Sequence, residues 1–417
     1  MKSFIDIAPH SDFSIYNLPF GIFNDAQNDQ KRVGVAIGEY VLDLCKVADL
    51  GYFDFLGFSE DWADSFAQPN LNEFMALGKS VTSRIRTEIQ KLLLEHSELE
   101  QYQAEVLLPI HAVQLYLPIK IGNYTDFYSS QEHATNVGKL FRPDSPLMPN
   151  WKHLPVAYHG RASSIVVSGT NIVRPCGQVL PPNAELPVFS PSKNMDFELE
   201  TAFVIGKNSE LGSPIDISDT PDYIFGMMLF NDWSARDIQR WEYVPLGPFL
   251  GKNFGSTLSP WVVMLDALAP FRCQPPVQDQ VVLPYLQCAE PFAYDIQLHA
   301  FLETENGSQT LLTQSNFKYL YWTMQQQLAH HTVNGCNVEV GDLLASGTIS
   351  GGTPDSWGSL LELSLGGKTP ITLTDGSQRT FLQDGDSIVL RGFCANNEMR
   401  VGFGEARGKL LPNNRQL

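Results

Sequence analysis

The chain has no CxxC pair, and its six cysteines, Cys45, Cys176, Cys273, Cys288, Cys336 and Cys394, show no Cys/His spacing of a zinc site. A disulfide framework or structural zinc is therefore not expected, and buried free thiols are. Long apolar runs are also missing: no segment approaches the ~20 residues that span a bilayer. The opening MKSFIDIAPHSDFSIYNLPF lacks an apolar stretch after a basic start, so a cytoplasmic protein is expected. The glycosylation-like triplets at Asn123 and Asn306 then stay unmodified. Positive charge is scarce, with 28 Lys and Arg against 46 Asp and Glu and a net charge of -18. Such a surface repels nucleic acid and anionic membranes, which are held through Lys and Arg. An anionic small molecule would need a local ammonium, guanidinium or metal ion. Internal repeats, heptads and low-complexity tracts are absent as well.

What is present is ordinary globular composition, 43% hydrophobic and 18% charged over 417 residues. At ~150 residues per domain this length suggests more than one unit, and a small unit followed by a large one fits the pattern best. In RVGVAIGEYVLDL, apolar and polar residues alternate around Gly38-Glu39, which predicts a β-hairpin with Val33, Val35 and Ile37 on one face. Val81, Ile85, Ile89 and Leu92 recur at helical spacing. Two prolines in VLLPIHAVQLYLPIK (106–120) mark a connector, which places the boundary near residue 118, between 1–118 and 119–417. Beyond it, many short β-like runs alternate with Pro and Gly. Helical stretches are expected only at Tyr223–Gln239 and Asn316–His331, so the large unit is β-rich.

Four stretches carry the chemistry. In NMDFELETAFVIG, Asp196, Glu198 and Glu200 alternate with apolar residues, so Glu198 and Glu200 share a strand face. Adjacent carboxylates repel unless a cation lies between them, and oxygen-only donors favour Ca2+ or Mg2+ over zinc. A solvated strand edge is the alternative. In FNDWSARDIQRWEY, a helix starting at Asp232 would bring Arg236 and Gln239 to its face, unless Asp232 is simply an N-cap. The polar stretch IGNYTDFYSSQEHATNVGKLFR gathers Asp126, Tyr128, His133 and Arg142, and His133 is the histidine best placed to act as a base. His159 beside Tyr158 is a weaker candidate, and His330-His331 read as helix-end packing residues. VPLGPFLGKNFGS has the wrong spacing for a nucleotide-phosphate loop and is read instead as a turn delivering Lys252 to a metal or an oxyanion. Glu362, in an apolar run expected to be a strand, requires a partner.

Taken together, YTDFYSSQEHATNVG, LPVAYHGRASS, FELE, NDWSARDIQRWEYVPLGPFLGKNFG and DLLASGTISG, in that order, resemble the fumarylacetoacetase family along essentially the whole chain. The resemblance implies a small N-terminal SH3-like barrel, a larger mixed β-roll catalytic domain, and a homodimer. It implies hydrolysis of the carbon–carbon bond of fumarylacetoacetate to fumarate and acetoacetate, the last step of tyrosine and phenylalanine breakdown. Asp126, Glu198, Glu200 and Asp232 are then the Ca2+ ligands, with Mg2+ near Asp232, the Lys252 backbone and Ser256, where the family pattern has Thr. His133 becomes the base that activates water, oriented by Glu362. Arg236, Gln239 and Lys252 become donors to the alkoxide, and Tyr128, Arg142, Tyr158, Tyr243 and Thr348, with Gln239, the substrate set.

Two rival readings use the same residues differently. A decarboxylase, isomerase or hydratase of oxo acids needs a similar acidic metal site but generally lacks the N-terminal unit and the full tyrosine and arginine set. A metal-binding sensor needs the cation but no base, so a His133–Glu362 pair argues against it.

Overall fold

In the computed structural model, which describes residues 1–57 and 62–414, strands dominate and the helices are short. The N-terminal strands are β1 (Phe20–Asp25), β2 (Arg32–Ile37), β3 (Tyr40–Asp43), β4 (Leu107–Pro109) and β5 (Val113–Tyr116). As the alternation predicts, β2 and β3 form an antiparallel hairpin, Ile37 opposite Tyr40. It turns at Gly38, whose φ of +57° strains a side-chain-bearing residue. The expected connector is not one: Leu107–Pro109 pairs with β3 and Val113–Tyr116 with β1. Its prolines fall at the end of β4 and beyond β5, where no ladder bond is lost. The predicted amphipathic helix is α1 (Lys79–Leu92), which buries Ile85 and Ile89.

The chain continues through β6 (Tyr124–Phe127), β7 (Ala157–His159), β8 (Leu199–Ile205), β9 (Ile224–Asp232), β10 (Ser256–Leu258), β11 (Trp261–Met264) and β12 (Leu343–Ala345). These do not form a sheet of their own. Among the described residues one large sheet runs β4-β3-β2-β1-β11-β9-β8-β12-β6-β7, so β1 joins the two halves by pairing Phe20 with Val262. Among the described residues no barrel closes, and the N-terminal strands extend the sheet of the larger unit. One core correspondingly holds Phe20, Ile22 and Phe74 together with Val204, Met228, Phe230 and Leu343. A second, five-stranded sheet built on Gln297–Glu303, Gln309–Asn316, Ser387–Ala395 and Arg400–Leu411 covers the other side, burying Leu298, Leu390 and Phe403.

Both helical expectations are corrected. Ile224–Asp232 is a fully buried strand, and helix begins only at α3 (Arg236–Glu242). The run IFGMMLFND is flanked by sheet on both edges, and a strand buried on both faces loses the alternation that distinguishes it from a helix. In the second stretch, α4 (Met324–Thr332) starts eight residues late, at a Thr323–Gln326 capping box.

Candidate active site

Three neighbouring regions of the large sheet each bring one carboxylate to the same point. Asp126 comes from β6, Glu200 from β8 and Asp232 is the last residue of β9. One oxygen from each lies within 4.8 Å of the others, and all three side chains are buried. Between β8 and β6 runs β12, which carries no charged side chain and leaves room for the cluster. At its end Gly347 donates its N–H to Glu200 Oε2 at 3.1 Å.

Burial and mutual repulsion push Asp126 and Glu200 well above the ordinary carboxylate range, Asp126 chiefly against Asp232 and Glu200 chiefly against Asp126. Asp126 Oδ1 and Glu200 Oε1 are buried without a hydrogen-bond partner. Orphaned acceptors in a like-charged, oxygen-only group fit a hard divalent cation, which supplies both missing partner and missing charge. Among the described residues this is the one such His, Cys, Asp or Glu group. Glu198 stands beside it and is held differently. Its Oε2 accepts from Lys252 Nζ and its Oε1 lies 2.8 Å from Arg236 Nη2. Although burial opposes ionisation, Lys252 and then Arg236 hold Glu198 far below the usual range.

Lys252 Nζ also donates to Asp232 Oδ2 at 2.6 Å, and Ser256 Oγ donates to Asp232 Oδ1 at 3.0 Å. Ser256 reaches it because β9 and β10 pair with Asp232 opposite Ser256. The glycine turn thus carries Lys252 inward, as expected from its composition. Tyr158 donates to Asp232 Oδ2 at 2.7 Å from β7. Asp232 does not begin a helix: it ends a strand, and Arg236 is the first residue of α3. They are linked through a chain of charges, since Lys252 pairs with both Asp232 and Glu198, and Glu198 with Arg236. Arg236 Nη1 donates to Gln239 Oε1 at 3.4 Å, while Nη2 faces Glu198 without hydrogen-bond alignment.

The candidate base borders the cleft beside this cluster. His133 is in the first turn of α2 (Gln131–Phe141), where Ser130 Oγ accepts its backbone N–H. Its Nδ1 lies 2.7 Å from Glu362 Oε2, which leaves Nε2 as the acceptor when Nδ1 carries the proton. Glu362 sits in the short helix α5 (Leu360–Leu363) and not in a strand. Ser359-Leu-Leu-Glu362 has the spacing of a capping box, a helix-start signal that was available in the sequence. Asn136, Ser350 and Ser359 all donate to the Glu362 carboxylate. Burial opposes its charge, but His133 and these donors bring it below the ordinary range.

A cleft of about 740 Å³ joins the two sides, within the ordinary size of a small-molecule site. It is lined by Asp126, Glu198, Glu200, Arg236 and Lys252 together with His133, Tyr128 and Thr348. Tyr128 meets the His133 ring edge-on at 5.3 Å between centroids. Arg142, Tyr243, Gln239 and Tyr158 complete the lining, with Arg142 and Tyr243 exposed at the mouth. Asp232 and Ser256 instead line a second cavity of about 450 Å³ that also holds Lys252 and Tyr158. His159 is exposed and borders both cavities, whereas His330 and His331 bond Tyr285 and Thr125.

Tyr124 escaped sequence reasoning, and Asp196, noted there within the acidic alternation, was given no role of its own. Tyr124, two positions before Asp126 on β6, donates to Asp126 Oδ2 at 2.6 Å, and its alternation with Asp126 was the available signal. Asp196 is fully buried and holds Arg236 Nε at 2.8 Å.

Comparison with known proteins agrees with this picture. The chain matches the family described as fumarylacetoacetate (FAA) hydrolase C-terminal over residues 123–410 and fumarylacetoacetase N-terminal over residues 16–118. It is 50% identical to the fumarylacetoacetase of Arabidopsis thaliana, covering 99% of each chain. To the fumarylacetoacetase of Homo sapiens it is 51% identical, over 98% of this chain and 99% of the relative. Among solved structures, a fumarylacetoacetate hydrolase from psychrophilic Exiguobacterium antarcticum superposes with a TM-score of 0.54. Its identity is 17%, and 95% of this chain and 100% of that one are covered. At that identity the likeness concerns the fold.

Proposed function

Because the chain belongs to the fumarylacetoacetate hydrolase family and hydrolyses fumarylacetoacetate, we propose the roles by which its site breaks the carbon–carbon bond. The carrying observation is the arrangement of the cleft: a histidine–glutamate pair faces a cation-compatible carboxylate trio flanked by Lys252 and Arg236. The substrate is a β-diketone with a carboxylate at each end, and its cleavage needs an activated water, a stabilised alkoxide and a stabilised enolate leaving group. His133 takes the proton from water at Nε2, while Glu362 fixes the tautomer and stabilises the imidazolium that results. Arg236, Gln239 and Lys252 donate to the oxygen that becomes negative. Arg142, Tyr128, Tyr158, Tyr243 and Thr348 orient the diacid, with Arg142 at the mouth suited to the outer carboxylate.

A resident divalent cation would be held by Asp126, Glu200 and Asp232 with Glu198 beside them, and would supply Lewis-acid stabilisation of the enolate. All-oxygen donors support Ca2+ there, and Asp232, Ser256 and the Lys252 backbone support Mg2+ as a second ion. The reading includes a place in tyrosine and phenylalanine breakdown. A cytoplasmic location is supported by the six free cysteines, and no helix of the described residues is long and apolar enough to cross a membrane. A homodimer is supported by the apolar residues Val244, Leu246 and Phe249, each more than half exposed on one segment. Residues 1–118 and 119–417 form the proposed N-terminal and catalytic units.

The experiment is an absorbance assay with fumarylacetoacetate. Wild-type protein consumes it, and chelator or His133→Ala stops turnover; full activity in His133→Ala refutes the assigned base.

A further inference from the structure

Between the strand that carries Glu200 and the helix that carries Glu362 lies a carboxylate to which the reaction assigns no role. Asp196 has no exposed surface, and both of its oxygens are doubly used. Oδ1 accepts the backbone N–H of Leu360 at 2.7 Å and of Phe197 at 2.8 Å. Oδ2 accepts the N–H of Leu361 at 3.0 Å and Arg236 Nε at 2.8 Å. One side chain therefore grips the first two residues of α5, whose third residue is Glu362, and the guanidinium of Arg236.

The choice of guanidinium atom matters. A carboxylate bound fork to fork would occupy two N–H groups of Arg236 and turn them from the cleft. Asp196 takes Nε alone, so Nη1 is left to Gln239 and Nη2 to Glu198, whose Oε1 lies 2.8 Å away. The backbone also brings the two groups together: Met195-Asp196 pairs with Ser234-Ala235, and Arg236 donates its backbone N–H to Asn194 O at 2.9 Å.

We propose that Asp196 is a positioning residue that ties the Arg236 donor to the helix bearing Glu362, and so sets the distance between the alkoxide donor and the His133–Glu362 base. The inference rests on the roles given to Arg236 and Glu362 above. An error of about 1 Å in such a distance costs roughly 100-fold in rate, whereas binding of the ground-state diacid depends on other groups.

The test measures kcat, KM and the thermal midpoint of metal-loaded Asp196→Asn, with Arg236→Gln and Glu362→Gln as references. Asn keeps the shape but presents an NH2 group to donors, so the two bonds accepted by one of the oxygens are lost. Expected are a kcat lowered by about 10- to 100-fold and a KM within about threefold of wild type. The double variant Asp196→Asn/Arg236→Gln should be no more than about threefold slower than Arg236→Gln alone, because a residue acting through another adds nothing once that other is gone. A purely structural role would make the two losses multiply, and that result overturns the proposal, as does a folded Asp196→Asn protein with wild-type kcat. If Asp196→Asn does not fold, Asp196→Glu, which keeps the charge but displaces the oxygens, is expected to fold and to show the same kcat loss. Failure of both to fold makes Asp196 a residue of the fold alone and overturns the tether. Full activity in both reference variants overturns the assigned roles themselves; loss there with none in Asp196→Asn overturns only the tether.

Discussion

At the scale of single residues, the pair His133–Glu362 illustrates how burial and partners set a charge state. Glu362 is 1% exposed and would be neutral if alone, yet His133, Asn136, Ser350 and Ser359 hold it ionised. Its folded pKa is depressed, so its contribution to stability is complete above the unfolded carboxylate range and is lost as pH falls through the lower folded value. Glu362→Gln is thus expected to cost stability at neutral pH, with the gap to wild type closing as acid is added, as measured by urea unfolding across pH. The same substitution should lower kcat ~10²- to 10⁴-fold, since the imidazolium loses its counter-charge. Glu198 makes a contrasting case. Its charge is already matched by Lys252 and Arg236, so Glu198→Gln is expected to weaken Ca2+ affinity, read by calorimetry, and unchanged affinity would remove it from the ligand set.

At the scale of elements, the site depends on where strands stop. The short strand β12 ends at Ala345, and the chain turns at Gly347 with φ +75°. A Cβ there would lie 2.1 Å from the carbonyl oxygen of Phe127, the residue after Asp126. Gly347→Ala is therefore expected to destabilise the protein by about 2–4 kcal/mol through backbone strain and overpacking. It should also lower kcat, since Thr348 and Asp126 move with the turn; a thermal melt and the substrate assay check both. Element type was the least legible part of the sequence. Alternation identified the β2–β3 hairpin and helical spacing identified α1, because each buries one face and leaves the other polar. The run before Asp232 is buried on both faces, so periodicity carried no information about it and the strand read as helix. Asp232 and Arg236 therefore share no helix face and are linked through Lys252 and Glu198 instead.

At the scale of the whole molecule, two features follow from the sheet and its charges. Because β1 pairs with β11 and one core contains both Phe20 and Val262, residues 119–417 expressed without the N-terminal region are expected to be insoluble or unfolded. Circular dichroism and sedimentation of that fragment provide the check. The trio of carboxylates also links metal to stability. Asp126 and Glu200 have raised folded pKa values, first from burial and then from each other's and Asp232's charge. The protonated forms suit the metal-free fold, so their contribution is favourable below the unfolded carboxylate range and is lost as pH rises toward the raised values. Chelator-treated protein should accordingly lose stability as pH rises above the unfolded carboxylate range, while Ca2+-loaded protein does not. Saturation at ~100 times Kd should restore about 2.7 kcal/mol, read from paired thermal melts.

The sequence by itself determined the inventory of the site. Asp126, Glu198, Glu200, Asp232, His133, Lys252 and Glu362 could be named from residue types, spacing and family resemblance, because chemistry restricts which side chains can hold a hard cation or move a proton. Tertiary structure alone decided their grouping: three carboxylates clustered on three strands, Glu198 taken by two cations, and Glu362 set on a helix 2.7 Å from His133. It also revealed Asp196, whose four hydrogen bonds reach segments far apart in the chain. The physical reason is that strand order and register are settled by long-range burial, which local spacing does not encode.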